Sequence, residues 1–454
     1  MLMKPIKNYY ELLEARAKER PNRLFLLLDD HRLSYRDMLD DANRLANDLP
    51  EGITGDALVL SDDFLGQATA FFALQKKGIR PILLHHGLAR EEQEDILRKN
   101  SLQGIISLID DEISCKVTGI PAREHEERDI LGVLSSGSTG TPKVMYRTYE
   151  SWAGFFPVQN RIFHVAEDAR MFLHGSLSFT GNLNSFLSTL YAGGSILTSN
   201  KMRCHMWEEI LRREEANVIY LVPTKLQLLA DSLRNPLPAV RSVFAGSQLL
   251  SERVLRQLAD RFPLSKIFLY YGASELNYIT YAICDRPERD PRNLGKPFPG
   301  IGLSVRDGLV YVDTPYHVSG IRPPFTVGDT GYINEAGELI FQGRKSSWIN
   351  KGGVKISIPR IETALQKLQG VREAAVLCYE DEARGSDLAA FLVKQEGAEE
   401  KTIRRSIRKS LNAVEVPSRI FFLTEIPLND RGKVDAPALK ELLASSFPPA
   451  RKKA

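Results

Sequence analysis

The sequence is poor in cysteine and in long apolar runs, and each shortage excludes a class of protein. Its 454 residues include only four cysteines. The cysteines are too far apart for a metal-ligand motif or a disulfide framework. No run approaches the roughly 20 consecutive apolar residues that a membrane helix needs. The first 20 residues are charged and helix-like, without the apolar core of a signal peptide, so we expect a cytoplasmic protein with reduced thiols.

A strong charge of one sign is also lacking. The formal net charge of +3 is too small for this length to indicate a nucleic-acid partner. Hydrophobic residues make up 43% of the chain and charged residues 26%, the balance of an ordinary globular protein. Because 454 residues exceed what one hydrophobic core usually supports, we expect at least two domains.

Strand-like and helix-like segments alternate over the first three quarters of the chain, which predicts an α/β fold with parallel sheets. Apolar runs precede helical patterns at three places, 57–60 before 64–77, 81–84 before 90–99 and 218–222 before 225–233. From about residue 295 to 343, short apolar runs lie between Gly, Pro and Asp turns. That pattern predicts a small β-barrel-like or hairpin subdomain at the end of the large domain.

The strand and helix pattern restarts after Gly343-Arg344. We therefore predict a large N-terminal domain over residues 1–343, a hinge at 344–347 and a smaller C-terminal α/β domain over 348–454.

The strongest local signal is a loop rich in glycine, serine and threonine that follows an apolar strand. It reads Leu134-Ser-Ser-Gly-Ser-Thr-Gly-Thr-Pro-Lys143. Glycines let several backbone N–H groups converge on one anion, while hydroxyls add donors and the lysine adds a positive charge. The spacing does not fit a Walker loop, and a flexible linker is the alternative. We predict a phosphate-binding loop made of Ser135, Ser136, Gly137, Ser138, Thr139, Gly140 and Lys143.

This loop resembles the phosphate loop of the adenylate-forming superfamily, which includes acyl-CoA synthetases, adenylation domains of peptide synthetases and luciferases. Other segments resemble its signatures in the expected order, namely Tyr270-Tyr-Gly-Ala-Ser-Glu275, Val327-Gly-Asp-Thr-Gly331, Gly343-Arg344, Gly352-Gly-Val-Lys-Ile356 and Pro427-Leu-Asn-Asp-Arg-Gly-Lys433. The resemblance covers nearly the whole chain. It implies ATP and Mg²⁺ as ligands, and a mobile C-terminal domain that turns about Ser346.

The resemblance also implies roles for individual residues. Asp329, when ionised, accepts hydrogen bonds from both ribose hydroxyls, although a turn aspartate is the alternative. Arg344 contacts ribose or phosphate, and Glu275 is the metal ligand, offering an oxygen to Mg²⁺. Tyr271 stacks on adenine. The remaining nucleotide-binding positions are Gly246, Ser247, Gly272 and Ser274.

Lys433 is the residue that we expect to catalyse adenylation, together with Glu275 and Arg344. A carboxylate must attack the α-phosphate while both groups are negatively charged. A flexible ammonium bridges the two oxygens and neutralises the charge as it builds. Lys433 resembles the superfamily's catalytic lysine on a glycine loop, whereas an ordinary surface lysine is the alternative.

The acid and the thiol are less defined. Acetate-activating relatives have a tryptophan in place of Gly272, so a glycine implies a larger acid. Phe179, Thr180 and Gly181 align with the segment that gates the substrate pocket. Amino-acid-activating relatives have an aspartate where Thr180 stands, which argues against an amino acid. No carrier-protein domain follows in the sequence, so we expect the thiol to come from a separate molecule.

Together these features predict activation of a carboxylic acid as an acyl-AMP, followed by thioester formation. The first hypothesis is a carboxylate–CoA ligase that acts on an acid larger than acetate. The second is a stand-alone adenylation enzyme that loads the phosphopantetheine of a separate carrier protein. The third is an inactive nucleotide-binding homologue, against which the retained Lys433 argues.

Overall fold

The structure, a computed structural model, describes most of the chain in two compact units. The described residues are 5–61, 63–85, 90–109, 112–122, 125–126, 128–134, 142–285, 289–344, 348–351, 354–381, 385–429 and 433–446. The first unit comprises Met1–Pro287, Gly295–Gly302 and Val312–Phe325. The second comprises Glu288–Leu294, Leu303–Tyr311 and Thr326–Ala454. The hinge expected at 344–347 stays a prediction, because residues 345–347 lie outside the described part.

The strands and helices follow one another in the alternation that the sequence predicts. In chain order the strands are β1 Leu24–Leu28, β2 His31–Ser34, β3 Asp56–Ser61, β4 Arg80–His85, β5 Gly104–Ile109, β6 Glu112–Val117, β7 Asp129–Leu134, β8 Val144–Thr148, β9 Arg170–Leu173, β10 Ser195–Thr198, β11 Val218–Tyr220, β12 Ser242–Ala245, β13 Lys266–Ala273, β14 Asn277–Ile283, β15 Lys296–Pro297, β16 Gly302–Arg306, β17 Leu309–Asp313, β18 Asp329–Ile333, β19 Leu339–Arg344, β20 Trp348–Lys351, β21 Val354–Ser357, β22 Val371–Asp381, β23 Gly385–Lys394 and β24 Arg419–Leu423. The helices are α1 Tyr9–Glu19, α2 Tyr35–Asp48, α3 Phe64–Lys76, α4 Arg90–Lys99, α5 Glu150–Ala153, α6 Phe156–Ile162, α7 Thr180–Ala192, α8 Cys204–Arg213, α9 Pro223–Ser232, α10 Glu252–Arg261, α11 Ile358–Gln366, α12 Glu400–Ser410 and α13 Ala436–Ser446.

A nine-stranded sheet dominates the first unit. Its order is β15-β14-β13-β12-β11-β9-β10-β1-β2. The strands from β13 to β1 run parallel, and β14, β15 and β2 join antiparallel at the two margins. Strands such as β10 and β12 are buried along their whole length, as parallel strands covered on both faces must be.

A second sheet of six strands completes this unit, in the order β6-β5-β3-β4-β7-β8. Strand β3 is fully buried, and α3 follows it. Asp63 caps α3 by accepting a hydrogen bond from the backbone N–H of Gly66. Helix α3 buries Phe71, Phe72 and Leu74, so it is a core helix rather than an amphipathic surface helix.

The second unit contains most of the predicted β-rich segment and the C-terminal α/β elements, while β15 belongs to the first unit. Strands β16 to β19 form one sheet in chain order. Strands β22, β23 and β24 form another, in which β23 and β24 are parallel. Helices α11 and α12 bury Ile361, Leu365, Ile403 and Ile407 in one core with Leu388 of β23. In each helix the two buried residues are four positions apart, so they lie on the same face and pack into this core.

The structure records all four cysteines as thiols. Among the described residues, no helix is long and apolar enough to cross a membrane.

Glu362 makes the stability of the second unit depend on pH. Its Oε1 accepts a hydrogen bond from the backbone N–H of Val376 at 2.9 Å. Burial raises the pKa of Glu362 from its ordinary value of 4.5 to about 7, although the Val376 N–H acts in the opposite direction. Between those two values the folded state binds more protons than the unfolded state, so stability falls as pH rises from about 4.5 through 7.

We therefore expect Glu362→Gln, which keeps the acceptor but does not titrate, to gain stability relative to the wild type as pH rises. Thermal unfolding should show similar midpoints at pH 5 and a midpoint at least about 2 °C higher for the variant at pH 8. Exposed Glu425 supplies the control, since Glu425→Gln should show no such pH-dependent difference. Equal midpoints of Glu362→Gln and wild type at both pH values would contradict the prediction.

Candidate active site

Within the first unit, several predicted site residues lie at the carboxyl edge of the nine-stranded sheet. Gly246 and Ser247 directly follow β12, and Ser274 and Glu275 directly follow β13. Thr180 begins α7, which follows β9 in the chain. Because β9, β12 and β13 run parallel, their carboxyl ends meet at one edge. Ligands of open α/β sheets bind at this edge, and the binding role of these residues stays a prediction.

The turn between β13 and β14 is held by hydrogen bonds from several segments. The hydroxyls of Thr180 and Ser274 lie 3.1 Å apart. The backbone N–H of Val318 donates to the carbonyl oxygen of Glu275 at 2.9 Å. Leu276 donates its N–H to the carbonyl of Ala273 at 3.0 Å. The half-buried Glu275 therefore projects its carboxylate from a turn whose backbone is fixed.

The predicted phosphate loop joins two paired strands. Its residues Ser135 to Gly140 lie outside the described part of the chain, but both of its ends are described. Leu134 of β7 and Val144 of β8 are direct partners in an antiparallel pair. Buried Asn100 donates to the carbonyl of Pro142 at 3.0 Å and accepts from the N–H of Val144 at 2.8 Å. Asn100 therefore fixes the backbone on both sides of the exposed Lys143.

Two glycines of the predicted substrate pocket are required by close packing. A Cβ on Gly181 would overlap the hydroxyl of the buried Tyr220. A Cβ on Gly272 would lie 2.7 Å from the carbonyl oxygen of Asn277 on the neighbouring strand. Both positions are well inside van der Waals contact. Gly272 is therefore explained by the approach of β14, and its lack of a side chain does not by itself measure the width of the pocket.

A buried lysine near the start of α9 was not predicted from the sequence. Lys225 is 6% exposed, and its Nζ lies 3.0 Å from Nδ1 of His174. Burial and the charge of Lys225 lower the pKa of His174 to about 3, so the neutral ring accepts this hydrogen bond. The sequence signal was a lysine in the first turn of a helix that otherwise buries apolar residues.

In the second unit, Asp329 and Arg344 form an ion pair. They are direct partners across β18 and β19, and Arg344 Nε lies 2.9 Å from Asp329 Oδ1. Asp329 is 2% exposed, whereas the side chain of Arg344 is 50% exposed. The hairpin register thus brings together two residues that the sequence assigned to the nucleotide from separate motifs.

In the second unit, Lys433 is hydrogen-bonded to Asn429. Asn429 donates its backbone N–H to the carbonyl of Lys433 at 2.8 Å, and its Oδ1 accepts from the Lys433 N–H at 3.1 Å. An antiparallel bridge between Leu428 and Val434 closes the loop. The two hydrogen bonds with Asn429 use backbone atoms of Lys433. The hinge candidate Ser346 lies outside the described residues.

The sequence matches models of known protein families. A model of the AMP-binding enzyme family matches residues 121–343, and a model of the AMP-binding enzyme C-terminal domain matches residues 360–433. The chain belongs to the AMP-binding, adenylate-forming enzymes. The two matches contain the predicted site residues from Ser135 to Asp329 and also Lys433, while Arg344 and Ser346 lie in the segment between them.

Individual relatives of this AMP-binding enzyme agree with that assignment. It is 28% identical over 344 residues to YhfT of Bacillus subtilis (strain 168), named an uncharacterized acyl-CoA ligase, covering 72% of this chain and 71% of the relative. It is 23% identical over 486 residues to bacitracin synthase 3 of Bacillus licheniformis, covering 96% of this chain but 8% of that protein. A solved O-succinylbenzoate coenzyme A synthetase from Bacillus subtilis, in complex with ATP and a magnesium ion, superposes with a TM-score of 0.79 at 20% identity, covering 96% and 99% of the two chains. This likeness confirms the predicted fold class.

The residues of this AMP-binding enzyme fit a magnesium ion of the kind that accompanies a nucleotide. Within the described ranges, no group of three or more His, Cys, Asp or Glu side chains could hold a metal ion by itself. Mg²⁺ in nucleotide sites takes one or two carboxylates and completes its shell with phosphate oxygens and water. A single fixed carboxylate, that of Glu275, meets this requirement, and its role as metal ligand stays a prediction.

Proposed function

We propose that this AMP-binding enzyme is an acid–thiol ligase that converts a carboxylic acid and ATP into an acyl-AMP, and then transfers the acyl group to coenzyme A. The observation that carries the proposal is the buried Asp329 carboxylate paired with Arg344. A nearly buried carboxylate needs a functional or structural reason, and hydrogen bonding to ribose hydroxyls supplies the functional one. A cytoplasmic location, expected from the sequence, stays a prediction.

The residues of the first unit receive the roles of binding and orienting the nucleotide. The loop from Ser135 to Lys143 binds the phosphates through backbone N–H groups, hydroxyls and one ammonium. Tyr271 stacks on the adenine, beside the backbone of Gly246 and Ser247. Glu275 provides the carboxylate for Mg²⁺, which reduces the negative charge of the phosphates that face the incoming acid.

The residues of the second unit receive the roles of holding the ribose and stabilising the transition state. Asp329 accepts hydrogen bonds from the ribose, and Arg344 contacts the ribose or the phosphate. Lys433 neutralises the charge that develops between the acid carboxylate and the α-phosphate. We further propose Ser346 as the hinge residue of the change from adenylation to thiol transfer.

The acid that we propose is larger than acetate and is not an amino acid. A tryptophan side chain, which blocks the pocket in acetate-activating relatives, is excluded at Gly272 by the backbone of Asn277. Thr180, in the place of the aspartate that pairs with an α-ammonium group, contacts Ser274 and carries no charge. The uncharged Thr180 supports the proposal that the acid is not an amino acid, whereas the size of the acid rests on the resemblance at Gly272.

A second candidate is an adenylation enzyme that loads a carrier protein. The match to bacitracin synthase 3 over 96% of this chain favours it, although this chain spans 8% of that protein. The two candidates share the first half-reaction and differ only in the acceptor thiol.

A panel of carboxylic acids assayed for pyrophosphate release separates the candidates. Acetate, longer alkyl acids, aryl acids, dicarboxylic acids and amino acids should each be tested alone, with coenzyme A and with a phosphopantetheinylated carrier protein. We expect release with an acid larger than acetate and thioester formation with coenzyme A. Thioester formation with the carrier alone would support the second candidate. Nucleotide binding without pyrophosphate release for any acid would indicate an inactive homologue.

A further inference from the structure

Arg147 is a buried cation beside the turn that carries Glu275. It lies in β8, four residues after Lys143, and is 0% exposed. Its Nη2 donates to the carbonyl oxygen of Ser274 at 2.6 Å. Its Nη1 donates to the carbonyl of Tyr316 at 3.2 Å and to the hydroxyl of Ser151 at 3.3 Å. One side chain therefore links the strand after the phosphate loop to the Ser274–Glu275 turn.

The energetic cost of this arrangement argues against packing as its only purpose. Removing a guanidinium from water is energetically costly, and well-packed apolar side chains often replace buried charges without loss of stability. Within the described part of the chain, Arg147 has no carboxylate in salt-bridge contact, and a tryptophan ring, that of Trp152, lies 4.9 Å from its guanidinium carbon. Burial lowers the pKa of Arg147 to about 9, while the charges of Tyr9 and Glu275 raise it, so the side chain is protonated at neutral pH.

The two successive carbonyls of the turn, those of Ser274 and Glu275, each accept a hydrogen bond. Arg147 binds the carbonyl of Ser274, and the N–H of Val318 binds the carbonyl of Glu275. The hydroxyl of Ser274 contacts Thr180 on α7. The turn that carries Glu275 is therefore held by contacts from three separate segments, namely β8, the segment around Val318 and α7.

We propose that Arg147 is a positioning residue that holds the Ser274–Glu275 turn in the geometry required to bind Mg²⁺ with ATP. The hydrogen bond to the Ser274 carbonyl sets the place of the Glu275 carboxylate. Arg147 acts through Glu275 and touches neither ATP nor the acid in this role. The inference rests on the proposed adenylating function.

The test is the effect of Mg²⁺ on ATP binding, measured by calorimetric titration with and without the ion in Arg147→Lys and Arg147→Ala. Lysine keeps the positive charge but lacks the planar guanidinium group, whose two Nη atoms bind two carbonyls at once. We expect the strengthening of ATP binding by Mg²⁺ to fall at least about tenfold in both variants, the size of effect seen when partners of metal ligands are removed. Binding of metal-free ATP should change little, and added guanidinium should restore part of the Mg²⁺ effect in Arg147→Ala.

Arg241 supplies the matched control. It also donates to a backbone carbonyl, that of His164, and it pairs with Asp168 away from the turn. Arg241→Lys should bind ATP with the wild-type response to Mg²⁺.

The possible results separate the inference from the proposed function. A wild type without Mg²⁺-dependent ATP binding would count against the function itself. A normal wild type together with an unchanged Mg²⁺ response in Arg147→Lys would overturn the inference alone. Failure of Arg147→Lys to fold, or equal losses with and without Mg²⁺, would assign Arg147 a structural role and overturn the inference as well.

Discussion

Lys433→Ala is expected to lose on the order of 10²-fold or more in acid-dependent pyrophosphate release, the loss typical of removing one electrostatic stabiliser of a transition state. The ammonium is proposed to act only where the carboxylate and the α-phosphate meet. Thioester formation from supplied acyl-AMP should therefore be much less affected. The two hydrogen bonds between Asn429 and residue 433 should survive the change, because they use the backbone N–H and carbonyl of residue 433.

Steady-state pyrophosphate release and a separate transfer assay from synthetic acyl-AMP measure the two steps. The control is Lys440→Ala, an exposed lysine of α13 in the same unit, which should retain both activities. Equal losses of Lys433→Ala in the two steps would point to misfolding or to a different role for the lysine.

Much of the fold could be predicted because strong local patterns agree with the final structure. The apolar run at 57–60 became β3 at Asp56–Ser61, and the helix expected over 64–77 is α3 at Phe64–Lys76. The pairing of strands at the margins of the sheets was harder to predict from the sequence. Strands β8 and β14 pair antiparallel with the strand before them, and these pairings depend on turns that periodicity does not reveal. Helix α7 was missed because it is buried along most of its length and includes polar residues, so it has no clear amphipathic period.

The candidate site shows the same division between local and non-local information. Motif order placed Asp329 and Arg344 individually, and only the register of β18 with β19 made them partners. Arg147 had no sequence signal of its own. Its environment is created by residues 274 and 316, which lie more than a hundred positions away in the chain. A sequence can mark a residue by its motif, but the burial of a charge depends on segments brought together by the fold.

Asp329→Asn is expected to weaken ATP binding at least about tenfold, equivalent to about 1.4 kcal/mol. The amide keeps the size of the carboxylate but lacks its charge, and hydrogen bonds to charged groups contribute about 1.5–3 kcal/mol each. The apo protein should lose only a little stability, because the half-exposed Arg344 stays solvated after its partner is neutralised. Calorimetric titration with ATP and Mg²⁺, together with thermal unfolding of the apo protein, measures both effects.

Asp290→Asn is the matched control, since Asp290 also pairs with an arginine of the second unit, Arg292, outside the predicted site. Wild-type ATP affinity in Asp329→Asn, accompanied by a marked fall in its unfolding midpoint, would show that the carboxylate serves the turn and the ion pair rather than the nucleotide.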